Sequence, residues 1–197
     1  MRYLLFSPLV ALVLVVTAGC GGFRPYRMMG RAATSEEGVF AQAEDKELKI
    51  QLREALLAGG ESPLAITPYV FMGHGFVVGF VHGTEQRDEI LRTAQGVQGL
   101  RSVESYLPPR PAASGTVGDV AIEAKVKEAM ALDPEVVVTR VDVKVLDGHA
   151  VLLGVVASEA ARESAVTAAA GVSGITGVTN FLLLPEPGYK SLRPHLR

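Results

Sequence analysis

Apolar positions along this chain follow a helical period in four stretches, with short strand-like runs between them. That alternation of periods is the first thing the sequence predicts. From Asp45 to Gly59, DKELKIQLREALLAG puts Leu48, Leu52, Ala55 and Leu56 on one face and charges around the rest. This predicts an amphipathic helix opened by Asp45 as a cap and ended at Gly59-Gly60. The runs YVFM and FVVGFV, separated by Gly73-His74-Gly75, predict a β-hairpin. A second helix follows in TEQRDEILRTAQGV, with Ile90, Leu91, Ala94 and Val97 at helical spacing, and the branched and aromatic residues of SVESYL predict a strand. After the Pro/Ala/Ser/Gly stretch PPRPAASGTVG the same order begins again. Helix DVAIEAKVKEAMAL turns Ile122, Val126, Ala129 and Met130 inward, and VTRVDVKVLDGHAVLLGVV alternates at Val141, Val143 and Val145 before a two-residue turn at Asp147-Gly148. Ser158 caps an alanine-rich helix, and VTNFLLL closes the second unit.

The two halves are written in the same words. GVQGLRSVESYL at 96–107 returns as GVSGITGVTNFL at 171–182, and positions 74–107 laid over 149–182 agree at 10 of 34 residues, against about 2 expected by chance. The shared residues include His74/His149, Gly79/Gly154, Gly96/Gly171 and Gly99/Gly174. A glycine inside an apolar strand permits close approach, so Gly79 and Gly154 are expected beneath the second helix of each unit. Gly99 and Gly174 are expected to turn the chain from helix into the last strand.

An apolar strand with glycine, a helix, then V-x-G-[LI]-x-x-V-x-x-[YF]-L closely resembles the BON domain, a small module of the bacterial envelope. The resemblance rests on VVGFV with GVQGLRSVESYL and on LLGVV with GVSGITGVTNFL, and covers roughly 45–107 and 117–184. It implies an α+β fold: two tandem αββαβ sandwiches, each a three-stranded mixed sheet with two helices on one face. Lipidated two-domain members resemble envelope-maintenance proteins of the outer membrane, and in some the first helix of the second domain associates with anionic phospholipid. Carried onto this chain, that helix surface makes Val120, Ala121, Ile122 and Lys125 the lipid-contact candidates. The N-terminal part of the helix has no aromatic residue, and the chain has no Trp.

The N-terminus, MRYLLFSPLVALVLVVTAGCGG, has an apolar run from Leu4 to Val16. That is short of the ~20 residues a spanning helix needs and ends in small residues, as an export signal does. TAGC resembles a bacterial lipobox, in which Cys20 is acylated and becomes the mature N-terminus. Secretory cleavage beside an incidental cysteine is the alternative reading of the same residues. Acylation would hold the chain at a membrane at about 0.8 kcal/mol per buried methylene. Gly21 in place of Asp points, by family resemblance, to the outer membrane, with the folded part facing the periplasm. The expected organisation is therefore signal peptide 1–19, tether 20–44, first domain 45–107, linker 108–118, second domain 119–184 and basic tail 185–197.

Charge refines this picture more than it changes it. The formal net charge is −2, which gives no footing for a nucleic-acid partner. Residues 45–107 hold eight acidic and six basic side chains, and 119–184 nine and five, so the modules are mildly acidic. Positive charge collects in the flanks, at Arg24, Arg27 and Arg31 and at Lys190, Arg193 and Arg197. These are expected to meet anionic headgroups, at about 1 kcal/mol for each residue near the surface.

No catalytic constellation emerges. His74 and His149 are read as turn residues, His82 and His195 lack partners at a metal-ligand spacing, and GHGFVVG lacks the ending of a phosphate loop. One cysteine excludes a disulfide framework. No enzyme activity, cofactor or metal is expected. Two classes of function remain: a lipid-tethered envelope-integrity protein that contacts phospholipid headgroups, and a periplasmic adaptor whose domains dock onto envelope proteins.

Overall fold

The helical pattern that the sequence shows from Asp45 begins further upstream in the computed structural model, which describes residues 36–62, 65–112, 116–136 and 140–186. Helix α1 runs Glu36–Ala58, so residues 36–44, read as tether, are helical. Asp45 consequently lies mid-helix and is not the cap. Its carboxylate accepts hydrogen bonds from the backbone N–H of Met72 (2.7 Å) and of Gly73 (2.8 Å). Those residues form the turn between β1 (Ile66–Phe71) and β2 (His74–Gly79). The hairpin thus turns at Met72-Gly73, and His74 and Gly75 belong to β2.

Both central residues of this turn have positive φ, 52° at Met72 and 76° at Gly73, as the mirror-image turns that match strand twist require. Methionine is a poor residue for that region, and the Asp45 carboxylate binds the two amides the turn exposes. The second unit repeats the device with better turn chemistry. Asp119, on α3 (Thr116–Ala131), accepts from Asp147 N–H (2.9 Å) and Gly148 N–H (3.0 Å) between β4 (Val141–Leu146) and β5 (His149–Val155).

Helix α2 (Thr84–Gln95) crosses from β2 to a parallel β3 (Ser102–Tyr106), and α4 (Glu159–Ala170) crosses from β5 to a parallel β6 (Gly177–Leu183). Each sheet therefore has the order first hairpin strand, second hairpin strand, crossover strand, with an antiparallel and a parallel pair. Ser158 caps α4 through its hydroxyl, which accepts from Ala161 N–H at 3.1 Å. After each crossover helix the corner glycines, Gly99 (φ 93°) and Gly174 (φ 97°), turn the chain toward the last strand. There Arg101 N–H donates to Gly73 O and Thr176 N–H to Gly148 O, both at 2.8 Å. The repeated phrase thus builds a corner locked onto the hairpin turn.

One face of each sheet packs on its own helices. Leu48, Leu52 and Leu56 of α1 meet Ile90 and Ala94 of α2 over Val77. In the second unit Val126 and Met130 of α3 meet Ala161, Ala165 and Ala169 of α4 over Leu152. The opposite faces pack on each other. Phe76, Val78 and Phe80 of the first unit form one buried cluster with Leu146, Val151 and Leu153 of the second. The result is four layers, helices outside and two sheets inside.

Two further expectations are revised. Gly79 and Gly154 do not lie beneath helices: a Cβ on Gly79 would stand 2.0 Å from Ala65 O, and one on Gly154 2.1 Å from Arg140 O. The close neighbour is the start of the adjacent hairpin strand. The first residues of the 108–118 stretch also pair with the first unit through an isolated parallel bridge just beyond β2, with Val81 N–H donating to Pro108 O (3.0 Å) and Arg110 N–H to Val81 O (2.8 Å).

Candidate functional site

The lipid-contact candidates on α3 divide by helical phase. Ile122 turns inward and packs against the core of the second unit. Val120, 66% exposed, lies with Ala121 and Lys125 on the solvent side, and Leu132 just past the helix is 82% exposed. Cys20, Arg24, Arg27, Arg31, Lys190, Arg193 and Arg197 lie outside the described residues, as does His195. Among the described residues no helix is long and apolar enough to cross a membrane, and no group of three His, Cys, Asp or Glu side chains could hold a metal ion.

Polar chemistry gathers instead along the seam between the two sheets, at the histidines read from sequence as solvated turn residues. Both lie in strands and are half-buried. His74 Nδ1 shares a hydrogen bond with Ser102 Oγ at 2.7 Å, while its Nε2 is sealed from solvent 3.9 Å from Glu186 Oε1. Glu186, just after β6, also accepts from Arg101 Nη1 at 2.8 Å and so joins the first unit to the end of the second. His149 Nε2 shares a hydrogen bond with Thr179 Oγ1 at 2.9 Å. The ring of Tyr106, from the other unit, stacks on His149 with centroids 4.5 Å apart and planes 14° from parallel.

These contacts set the ionisation of the seam. Burial lowers the His149 pKa below its ordinary 6.5, because the imidazolium would give up hydration in this position. The Tyr106 hydroxyl is raised, by burial first and then by Asp147. Tyr69 is pushed up to about 12 by burial, with Asp142 and Glu123 of the second unit adding to it. For His149 the sign follows from linkage. With the folded pKa below the unfolded one, the unfolded chain takes up its proton first, so stability falls as pH drops from 6.5 toward the folded value. The urea midpoint is expected to fall across that window, and His149→Gln is expected to flatten the fall. An unchanged pH slope in the variant would show that His149 is not buried as a neutral ring.

The outer faces of the two first helices differ. On α1, Lys46, Lys49 and Arg53 are exposed beside Ile50 (49%) and Leu57 (43%). Lys49 Nζ stands 5.1 Å from the centroid of the Tyr69 ring. On α3 the counterparts of Lys49 and Arg53 are Glu123 and Lys127, which pair with each other at 2.8 Å. A groove between α1 and β1 is lined by Lys49, Arg53, Leu57, Thr67 and Pro68 among others. The sequence reading passed over α1 because it weighed net charge by domain. Helical phase applied to DKELKIQLREALLAG would have separated this face from the acidic remainder.

Comparison with known proteins supports the BON-domain reading of the second unit. Residues 118–185 match the BON domain family, so a BON domain is present there. Osmotically-inducible protein Y of Escherichia coli (strain K12) is 35% identical over 108 residues, which is 53% of this chain and 54% of that protein. The chain thus matches about half the length of this curated relative. Among solved structures, the C-terminal domain of CdsD, a structural protein of the type III secretion system of Chlamydia trachomatis, is 16% identical. The overlap covers 71% of this chain and 98% of that one, with a TM-score of 0.29, too low to inform the arrangement seen here.

Proposed function

We propose that this protein, with a BON domain at residues 118–185, is a non-enzymatic envelope protein, tethered to the outer membrane through acylated Cys20 and contacting phospholipid headgroups. The BON domain is the observation that carries an envelope role. The relative named for osmotic induction supports a part in envelope integrity under osmotic stress. We read residues 45–107 as a second, more divergent BON unit. Its order of elements and mixed three-stranded sheet match those of the second unit. Acylation would place Glu36, the start of α1, at most 16 residues from the bilayer, within about 58 Å of extended chain.

A periplasmic adaptor that docks onto envelope proteins is the second reading, favoured by the exposure of Val120 and Leu132 at the two ends of α3. Vesicle sedimentation separates the two, using the chain from residue 20 with Cys20→Ser, which keeps every described residue but cannot be acylated. Binding to phosphatidylglycerol-containing vesicles that weakens with salt, and none to pure phosphatidylcholine, is the expected result. No binding to either would reject headgroup contact and leave the adaptor reading.

A further inference from the structure

We propose that headgroup contact is made by the outer face of α1 in the first unit, through Lys46, Lys49 and Arg53 with Ile50 and Leu57 between them. This rests on the headgroup reading above and places it on residues other than the α3 and flanking candidates. Successive helical residues are rotated by about 100°, so these five fall within an arc of roughly 100°. That arc contains no acidic residue; Glu47 and Glu54 lie beyond its edge. Three cations in phase with two exposed aliphatic side chains form the pattern that lies on an anionic bilayer: the ammonium and guanidinium groups meet phosphates while Ile50 and Leu57 enter the interfacial layer.

Three further observations support the placement. Neither Lys49 nor Arg53 is held in any of the ion pairs seen among the described residues, so both cationic ends remain available to an external anion, although Asp142 and Glu123 of the second unit act on the Tyr69 side chain beside Lys49. Lys49 is held over Tyr69, which positions it at the rim of the groove toward Thr67 and Pro68. The one carboxylate lining that groove, Glu61, accepts a hydrogen bond from Gln86 Nε2 at 2.8 Å. The second unit cannot reproduce the pattern. There Glu123 and Lys127 satisfy each other, and Ala124 and Ala131 stand where Ile50 and Leu57 would. Pro68 also bears on the alternative occupant. Phe80 N–H donates to Ala65 O, which fixes the ladder so that position 68 faces the open edge of β1. Proline offers no N–H there, which disfavours an added peptide strand.

The test uses the chain from residue 20 with Cys20→Ser and vesicles of phosphatidylglycerol with phosphatidylcholine. Lys49→Gln with Arg53→Gln removes two near-surface charges and is expected to weaken binding about thirtyfold. Val120→Ser with Lys125→Gln on α3 is expected to change it less than about threefold, the effect of a single weak surface charge. All four positions are exposed, and an unchanged thermal transition confirms that the variants fold. If the α1 pair leaves binding intact while the parent chain binds, the surface assignment fails and headgroup contact stands. If the parent chain binds no vesicles, the headgroup reading itself fails.

Discussion

Phe76→Ala is expected to lower stability by about 3–5 kcal/mol, the cost of removing a fully buried aromatic side chain, and to lower the melting temperature by about 10 °C. Phe76 is 0% exposed, although it lies on the face of β2 turned away from its own helices. The ring stands 6.2 Å from Phe71 in the same sheet and 5.3 Å from Phe181 across the seam. Its burial therefore depends on the second unit. If the units were independent, the same side chain would be solvated and its removal would change stability by no more than about 0.5 kcal/mol. Denaturant titration distinguishes values this far apart. Phe181→Ala supplies the second arm: rings in contact across the seam should give a double variant whose loss departs from the sum of the single losses. Strict additivity would mean that the sheets do not meet at this point.

Much of the fold was legible because each local signal has one physical cause. Leu48, Leu52 and Leu56 recur at helical spacing and are buried on α1. Asp147-Gly148 has the chemistry of a mirror-image turn and makes one. Met72-Gly73 was missed because methionine seldom adopts positive φ. What secures it is a carboxylate 27 residues earlier in the chain, a contact that local propensity cannot show. The seam was also written in the sequence, although at a different level. FVVGFV and AVLLGVV are continuous apolar runs, whereas a strand with one wet face alternates. Two helices cover only one face of each sheet, so a strand apolar on both faces needs a second cover, and the other unit provides it.

The candidate site was less legible because it depends on which side chains share a surface. Net charge by domain hid the basic face of α1, where three cations share a helix with acids on its other side. Position along α3 marked Val120, Ala121, Ile122 and Lys125 together, yet Ile122 packs into the core while its neighbours face water. The histidines were read as turn residues because they adjoin turn glycines. In the fold that position is the first residue of a central strand, where His149 lies under a tyrosine from the other unit.

Alanine in place of glycine is expected to act with opposite signs at Gly154 and Gly118. Gly154 has φ 136°, a region L-residues rarely adopt, and it pairs with Val141 at the start of the second hairpin. A Cβ there would lie 2.1 Å from Arg140 O and 3.2 Å from Val141 Cα. Both are backbone atoms, which no rotamer change can move aside. Relief requires β4 to shift against β5, so Gly154→Ala should lose at least about 3 kcal/mol from strain and overlap together. Gly118 lies within α3, where an added Cβ meets nothing within 4 Å. There alanine should stabilise by roughly 0.5–1 kcal/mol, by limiting the freedom of the unfolded chain. Urea titration of the two single variants reads both signs. A mild loss at Gly154 would mean that the strands are further apart than the register places them. A loss at Gly118 would mean that the first turn of α3 is not helical, which would also undo the placement of Asp119 on the Asp147-Gly148 turn. Gly79 faces Ala65 O in the same way. The shared glycine in VVGFV and LLGVV therefore marks where a hairpin strand presses against its neighbour, and not where a helix does.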